Sequence, residues 1–211
     1  MKNPRGYAKK VRNSFTRERR PVIVIAAEGK NKTECQYFRD FGRDVERQIV
    51  FADGNYTDPV QMAGALIKKC EQRDWQRENG DRAYCLIDSD TDDKKDIQIA
   101  KADRKLRAQG MQLLVSGPCF EIWYLCHYHA NARQYHNVEE IISELRHFHH
   151  AYDKNTESMY AATKERLQTA IQNAEKLRAA CMDRGYQPHT VDFCPSTEID
   201  ILAKELMRQE R

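Results

Sequence analysis

Five apolar residues run without a break through "PVIVI" (Pro21–Ile25), two alanines follow, and the chain then turns polar at Glu28 and Gly29. A run with no polar residue on either alternate face reads as a strand buried on both sides, and such strands belong to parallel sheets covered by helices. The chain that follows keeps to this pattern. Lys32–Glu46 repeats Tyr37, Phe38, Phe41 and Val45 near a helical period, and Arg47–Asp53 reads as a short strand. Asp53–Pro59 is turn chemistry, with Pro59 placed to open a helix over Val60–Arg77 that ends near Asn79-Gly80. Ala83–Ile87 is a third strand, Lys94–Gln109 a helix stopped by Gly110, and Met111–Val115 a fourth strand. The alternation predicts an α/β fold with a mostly parallel four-stranded sheet flanked by helices.

Beyond Gly117 no further strand is evident. Pro118–His129, Val138–His149, Thr156–Met182 and Ser196–Arg208 all read as helices. The expected organisation is a basic arm over 1–20, a core over 21–130 and a helical C-terminal extension over 131–211, packed on the core.

At 211 residues, with 40% hydrophobic and 32% charged residues, the chain can bury a real core beneath a heavily charged surface. Its net charge of +3 says less than where the charge sits. Lys2, Arg5, Lys9, Lys10, Arg12, Arg17, Arg19 and Arg20 crowd the first twenty positions against Glu18 alone. Such an arm suits a polyanion such as nucleic acid, and reads equally as a solvated terminus. No apolar run approaches the ~20 residues of a membrane span, and the N-terminus lacks the apolar core of a signal peptide. Seven scattered cysteines without a CxxC pair indicate reduced thiols. The expectation is a soluble, cytoplasmic protein.

Strands of an open parallel sheet present ligands at their carboxyl ends. Glu28 sits there for the first strand, and Asp88 and Asp90 for the third, in "AYCLIDSDTDD". In an extended segment residues i and i+2 point the same way, so these two aspartates can converge on one ion. Carboxylate oxygens suit Mg²⁺ or Mn²⁺. The plainer reading is turn and N-cap chemistry, in which Asp92 or Asp93 only caps the next helix.

"EGKNKTECQYF" (Glu28–Phe38) resembles the EGxxTExxYF signature of the RloB-like family, a group classed with the Toprim domains. Other blocks line up in order: "AYCLIDSDTDD", then "VSGPCFEIWYLCHY" (Val115–Tyr128) beside the family's SNPCFExWLLLHF. "YDKN…AIQNAEKL" (Tyr152–Leu177) and "PSTEIDILAKEL" (Pro195–Leu206) match its Lys-Asn and NPST blocks. Gly117 departs from the family's usual Asn. If that Asn side chain bonds a neighbouring loop in the family, the bond is missing here, although Gly suits a tight turn.

The resemblance implies a Toprim-like catalytic core acting on phosphodiesters. Glu28 would move protons or help hold metal, and Asp88 and Asp90 would bind Mg²⁺ or Mn²⁺. It further implies a part in anti-phage defence beside an AAA-type ATPase. No room remains for a topoisomerase's nucleophile domain, and a primase's template-binding modules are not evident, which leaves a nuclease acting on RNA such as tRNA, or on DNA. The rival is a non-catalytic nucleotide- or nucleic-acid-binding regulatory subunit of an ATPase-containing complex. A primase-type nucleotidyl transferase comes third.

Glu121 lies in an apolar sequence, where an ionised carboxylate needs a partner. It reads as a solvent-facing residue or the buried salt-bridge partner of an arginine, and equally as a fourth acidic ligand or a group behind the ligands at the metal. Glu34, in the first signature block, is a further candidate. Lys154 could stabilise phosphate charge or be an ordinary surface lysine. Lys30 and Lys32, with Lys9, Lys10 and Arg12 of the arm, could contact a nucleic-acid backbone or stay solvated. Six of the seven histidines fall between His127 and His150, a pattern better read as a solvated face than a zinc site. His127 alone, aligned with the family's histidine, is a candidate for the active-site edge.

Overall fold

The computed structural model describes residues 20–28, 33–90, 94–150, 152 and 159–208. The chain runs β1 (Val22–Ala26), α1 (Thr33–Asp44), β2 (Gln48–Phe51), α2 (Pro59–Gln72), β3 (Arg82–Asp88), α3 (Lys94–Arg107) and β4 (Gln112–Gly117). It continues through α4 (Glu121–Cys126), α5 (Val138–Phe148), α6 (Met159–Thr163), α7 (Leu167–Asp183), β5 (Ser196–Thr197) and α8 (Ile199–Met207). The strand order is β2-β1-β3-β4-β5, with β1 to β4 parallel and β5 antiparallel to β4.

All five residues of β1 are buried, and their two-residue period feeds two separate cores. Ile23 and Ile25 face Phe38 and Phe41 of α1 together with α4, α7 and α8. Val22, Val24 and Ala26 face Met62 and Leu66 of α2 and Ile99 and Leu106 of α3. The sheet is thus covered on both sides, which is what an apolar run of this kind requires. At the start of α2, Asp58 accepts the Gln61 N–H at 2.8 Å, and Pro59 occupies the first turn.

Four expectations from the sequence need correction. The sheet has five strands, because Ser196 and Thr197 pair with Gly117 and Ser116 before α8 begins. The Ser196–Arg208 segment is therefore a strand and then a helix. The expected helix from Pro118 shrinks to α4, since β4 runs on to Gly117 and the Pro118 carbonyl accepts the Asp90 N–H at 3.0 Å. The described part of the long helix breaks at a 3-10 turn, Lys164–Arg166, between α6 and α7.

The C-terminal segment belongs to the fold rather than hanging from it. Besides supplying β5, it shares the larger core through Leu167, Ile171, Leu177, Leu202 and Leu206. Gly117 is a matter of close approach, not of a turn: a Cβ there would meet the Phe193 carbonyl oxygen at 3.0 Å and Ser89 Oγ at 3.2 Å. All seven cysteines are unpaired. Among the described residues no helix is long and apolar enough to cross a membrane.

Arg178 of α7 grips the fully buried Asp200 of α8 with both nitrogens of its fork and also bonds the Thr197 carbonyl. Lys204 adds a second contact to Asp200 at 2.9 Å from a far more exposed position. Removing one partner of a buried pair strands the other's charge, whereas an exposed contact contributes little. Arg178→Ala is therefore expected to lower unfolding free energy by about 3 kcal/mol. Lys204→Ala should cost under about 1 kcal/mol, both read from urea midpoints.

Candidate functional site

Between β1 and β3 the chain changes direction across the sheet: β2 lies on one side of β1, and β3 and β4 on the other. In open α/β sheets this switch leaves a crevice at the carboxyl ends of the two strands. Glu28 lies two residues past β1, and Asp88 is the last residue of β3. Both sequence candidates thus border the crevice.

Asp90 reaches it by a route that strand geometry does not give. The Ser89 N–H bonds the Ser116 carbonyl at 2.8 Å and so prolongs the β3–β4 pairing by one residue. Asp90 then adopts a left-handed backbone (φ 53°), which aspartate tolerates better than most residues. The extended i, i+2 argument therefore fails for this pair, although the two carboxylates still feel each other's charge.

Lys95, in the first turn of α3, joins the two edges. Its ammonium donates to Asp90 Oδ2 at 2.6 Å and to Glu28 at 3.2 Å (Oε2) and 3.5 Å (Oε1). The residue is only 8% exposed. Burial alone would depress its pKa, but the bonds to Asp90 and Glu28 outweigh that and hold it above the ordinary lysine value. Lys95 was not singled out from the sequence. The signal available was a lysine at a helix N-terminus, where a cation is unfavourable without acidic partners.

Glu34 in the first turn of α1 and Glu121 at the start of α4 are both buried. Tyr152 donates its hydroxyl to Glu121 Oε1 at 3.0 Å, and Arg146 Nε holds the Tyr152 carbonyl at 3.0 Å. Asp88 is surrounded by this set. Burial first, then the charges of Glu34, Glu121, Glu28 and Asp90, push its carboxyl well above the usual range. Glu28 is also pushed up by burial and by Asp90, while the Lys95 ammonium and the Asp88 backbone pull the other way. Asp88 thus feels the charges of four other carboxylates, two of which one lysine bridges.

His127 is enclosed elsewhere. Its Nδ1–H donates to the Trp123 carbonyl at 3.0 Å, which leaves Nε2 to accept from the Tyr37 hydroxyl at 3.4 Å. Burial lowers its pKa to about 4, so it is a neutral core histidine and not a member of a solvated face. Lys154, Lys30, Lys32, Lys9, Lys10 and Arg12 lie outside the described residues. A groove of about 770 Å³ along the outer side of α3 carries no comparable constellation. Its His189 is paired with Glu198 at 2.9 Å, and that partner overcomes burial to raise the histidine's pKa.

Among the described residues no three His, Cys, Asp or Glu side chains stand together as a ready coordination shell. Mg²⁺ does not demand one, since it keeps several waters and is commonly held by one or two carboxylates. An all-oxygen donor set with Asp88 under like-charge repulsion fits such an ion, and Asp88 and Asp90 are the residues that would hold it.

The crevice and sheet define a class: an α/β protein with an acidic site at the switch point of a mostly parallel sheet. The family model described as RloB-like protein matches residues 23–206, and the chain belongs to the RloB-like family. No curated protein and no solved structure is significantly similar to it.

A carboxyl whose folded-state pKa is raised favours the fold when protonated, and that contribution fades as pH climbs from the unfolded to the folded pKa. With divalent ions chelated, Asp88→Asn is expected to raise the melting temperature at pH 7. The gain over wild type should vanish on acidification below the ordinary carboxylate range, as followed by thermal unfolding across pH.

Proposed function

We propose that the chain is a Toprim-like, metal-dependent nuclease that cleaves nucleic-acid phosphodiesters, RNA such as tRNA or DNA, as an effector of anti-phage defence. The observation that carries this reading is the gathering of Glu28, Asp88 and Asp90 at the switch-point crevice. The parallel β2-β1-β3-β4 core with helices on both faces is compatible with a Toprim-like assignment. Mg²⁺ or Mn²⁺, held by Asp88 and Asp90, would polarise a phosphoryl oxygen and stabilise the leaving alkoxide. Glu28, its pKa raised by burial, is suited to exchange a proton with a group at the phosphodiester. Glu34 and Glu121 shape the field at Asp88 from behind it, and Tyr152 orients Glu121. The basic arm with Lys30 and Lys32 would supply sequence-independent backbone contacts, and Lys154 a charge at the phosphate. An AAA-type ATPase is the expected protein partner, restraining or releasing the activity.

One observation favours the rival, a non-catalytic regulatory subunit that binds nucleotide or nucleic acid. Lys95 already pairs with both Glu28 and Asp90, an arrangement in which these carboxylates serve the structure.

Labelled tRNA, single-stranded RNA and plasmid DNA, incubated with Mg²⁺ or Mn²⁺ in the presence and absence of a co-expressed ATPase, decide between them. Glu28→Gln is expected to lower cleavage about 10²–10⁴-fold with circular dichroism unchanged. Wild-type cleavage that survives Glu28→Gln and Asp88→Asn, or is missing with the ATPase present, would sink the nuclease reading.

A further inference from the structure

Lys95 bridges the two strand ends that border the crevice. Its ammonium sits between Glu28 and Asp90, the carboxylates of two different strand ends, and bonds both. Its own helix gives it no reason to be there, because a cation opposes the N-terminal end of the helix dipole. Asp96, the next residue, accepts the Val191 N–H at 2.9 Å and ties the same turn of α3 to the C-terminal segment, so Lys95 is anchored in place. Of the two partners, Asp90 is the accessible one: its side chain is 52% exposed, against 19% for Glu28.

We propose that Lys95 is a positioning residue that acts as a built-in counter-cation: it competes with a divalent ion for the Asp90 carboxylate and keeps Glu28 oriented across the crevice. This rests on the reading that the acidic crevice takes a divalent ion. The ammonium and an ion held through Asp90 are like charges drawn to the same oxygens, so the lysine weakens ion binding. Once Asp90 is engaged elsewhere, the ammonium retains its bonds to Glu28, which aim that carboxylate and compensate its charge. The site thus sacrifices ion affinity for control of Glu28. The two consequences have opposite signs, and a purely structural lysine would produce losses in both.

The test is Mn²⁺ alone, titrated into the full chain and followed by the electron paramagnetic resonance of the free ion, with cleavage measured in parallel. Lys95→Met keeps the length of the side chain and removes the charge. It is expected to bind Mn²⁺ about 10–100-fold more tightly, the range over which groups behind metal ligands tune affinity, while cleavage falls. Lys95→Arg restores the charge and should return Mn²⁺ affinity to near the wild-type value. Near-ultraviolet circular dichroism establishes that both variants are folded. If Lys95→Met misfolds, Lys95→Gln, which removes the charge and keeps a hydrogen-bond donor, reads the same competition, and it too should bind Mn²⁺ more tightly than wild type. Mn²⁺ affinity unchanged or weakened in folded Lys95→Met overturns the proposal. So does a failure of every protein to bind Mn²⁺, which also removes the metal from the reading above. Tighter Mn²⁺ binding in Lys95→Met with no cleavage by wild type supports the counter-cation and overturns only the nuclease assignment.

Discussion

Carboxylates taken out of water must be paired, protonated or given a cation, and the arrangement around Asp88 is organised by that requirement. β1 delivers Glu28 and β3 delivers Asp88, while α1 and α4 add Glu34 and Glu121 from the opposite layer. Lys95 relieves the outer part of the set and Tyr152 the inner part, one by charge and the other by a hydroxyl. Asp88 lies between them, and burial together with these neighbouring charges raises the cost of ionising it.

The inner layer explains why α4 is so short and so thoroughly buried. All six of its residues are buried, and Trp123 and His127 meet Tyr37 edge-on while Tyr124 meets it at a tilt. That rigidity is what keeps the Glu121 carboxylate at a fixed depth. The neutral His127 belongs to this packing rather than to the chemistry. A charge on it would be unpaired among the rings.

The placement of Glu28 and Asp88 at strand ends was legible because an apolar run that stops at a carboxylate marks the end of a buried strand, although turn and cap chemistry writes the same pattern. Glu121 was legible as an anomaly, one charge in an apolar stretch. Lys95 was not, since a lysine following "DSDTDD" looks like a solvated helix start, and only the fold brings Glu28 across to it. The left-handed turn at Asp90 left no mark that distinguishes it from a cap. β5 escaped for a simpler reason: two residues are too few to show a period, and Ser and Thr carry no apolar alternation. The boundaries of α4 were misread because an apolar run reports burial without reporting where helical hydrogen bonding begins.

The C-terminal segment looks like an appendage in the sequence, yet it closes around the site's supports. Glu198 accepts the Val115 N–H at 2.9 Å, Ser116 and Thr197 share a hydroxyl contact at 2.9 Å, and the Phe193 carbonyl crowds Gly117. These contacts fix the end of β4, whose Ser116 and Pro118 carbonyls in turn hold Ser89 and Asp90. Through Val191 the same segment holds Asp96, one residue from Lys95. Asp90 and Lys95 are therefore positioned from both sides by a stretch about a hundred residues further along the chain. A glycine at position 117 is the condition for that closure: a side chain there would push Phe193 or Ser89 outward and loosen the turn that carries Asp90.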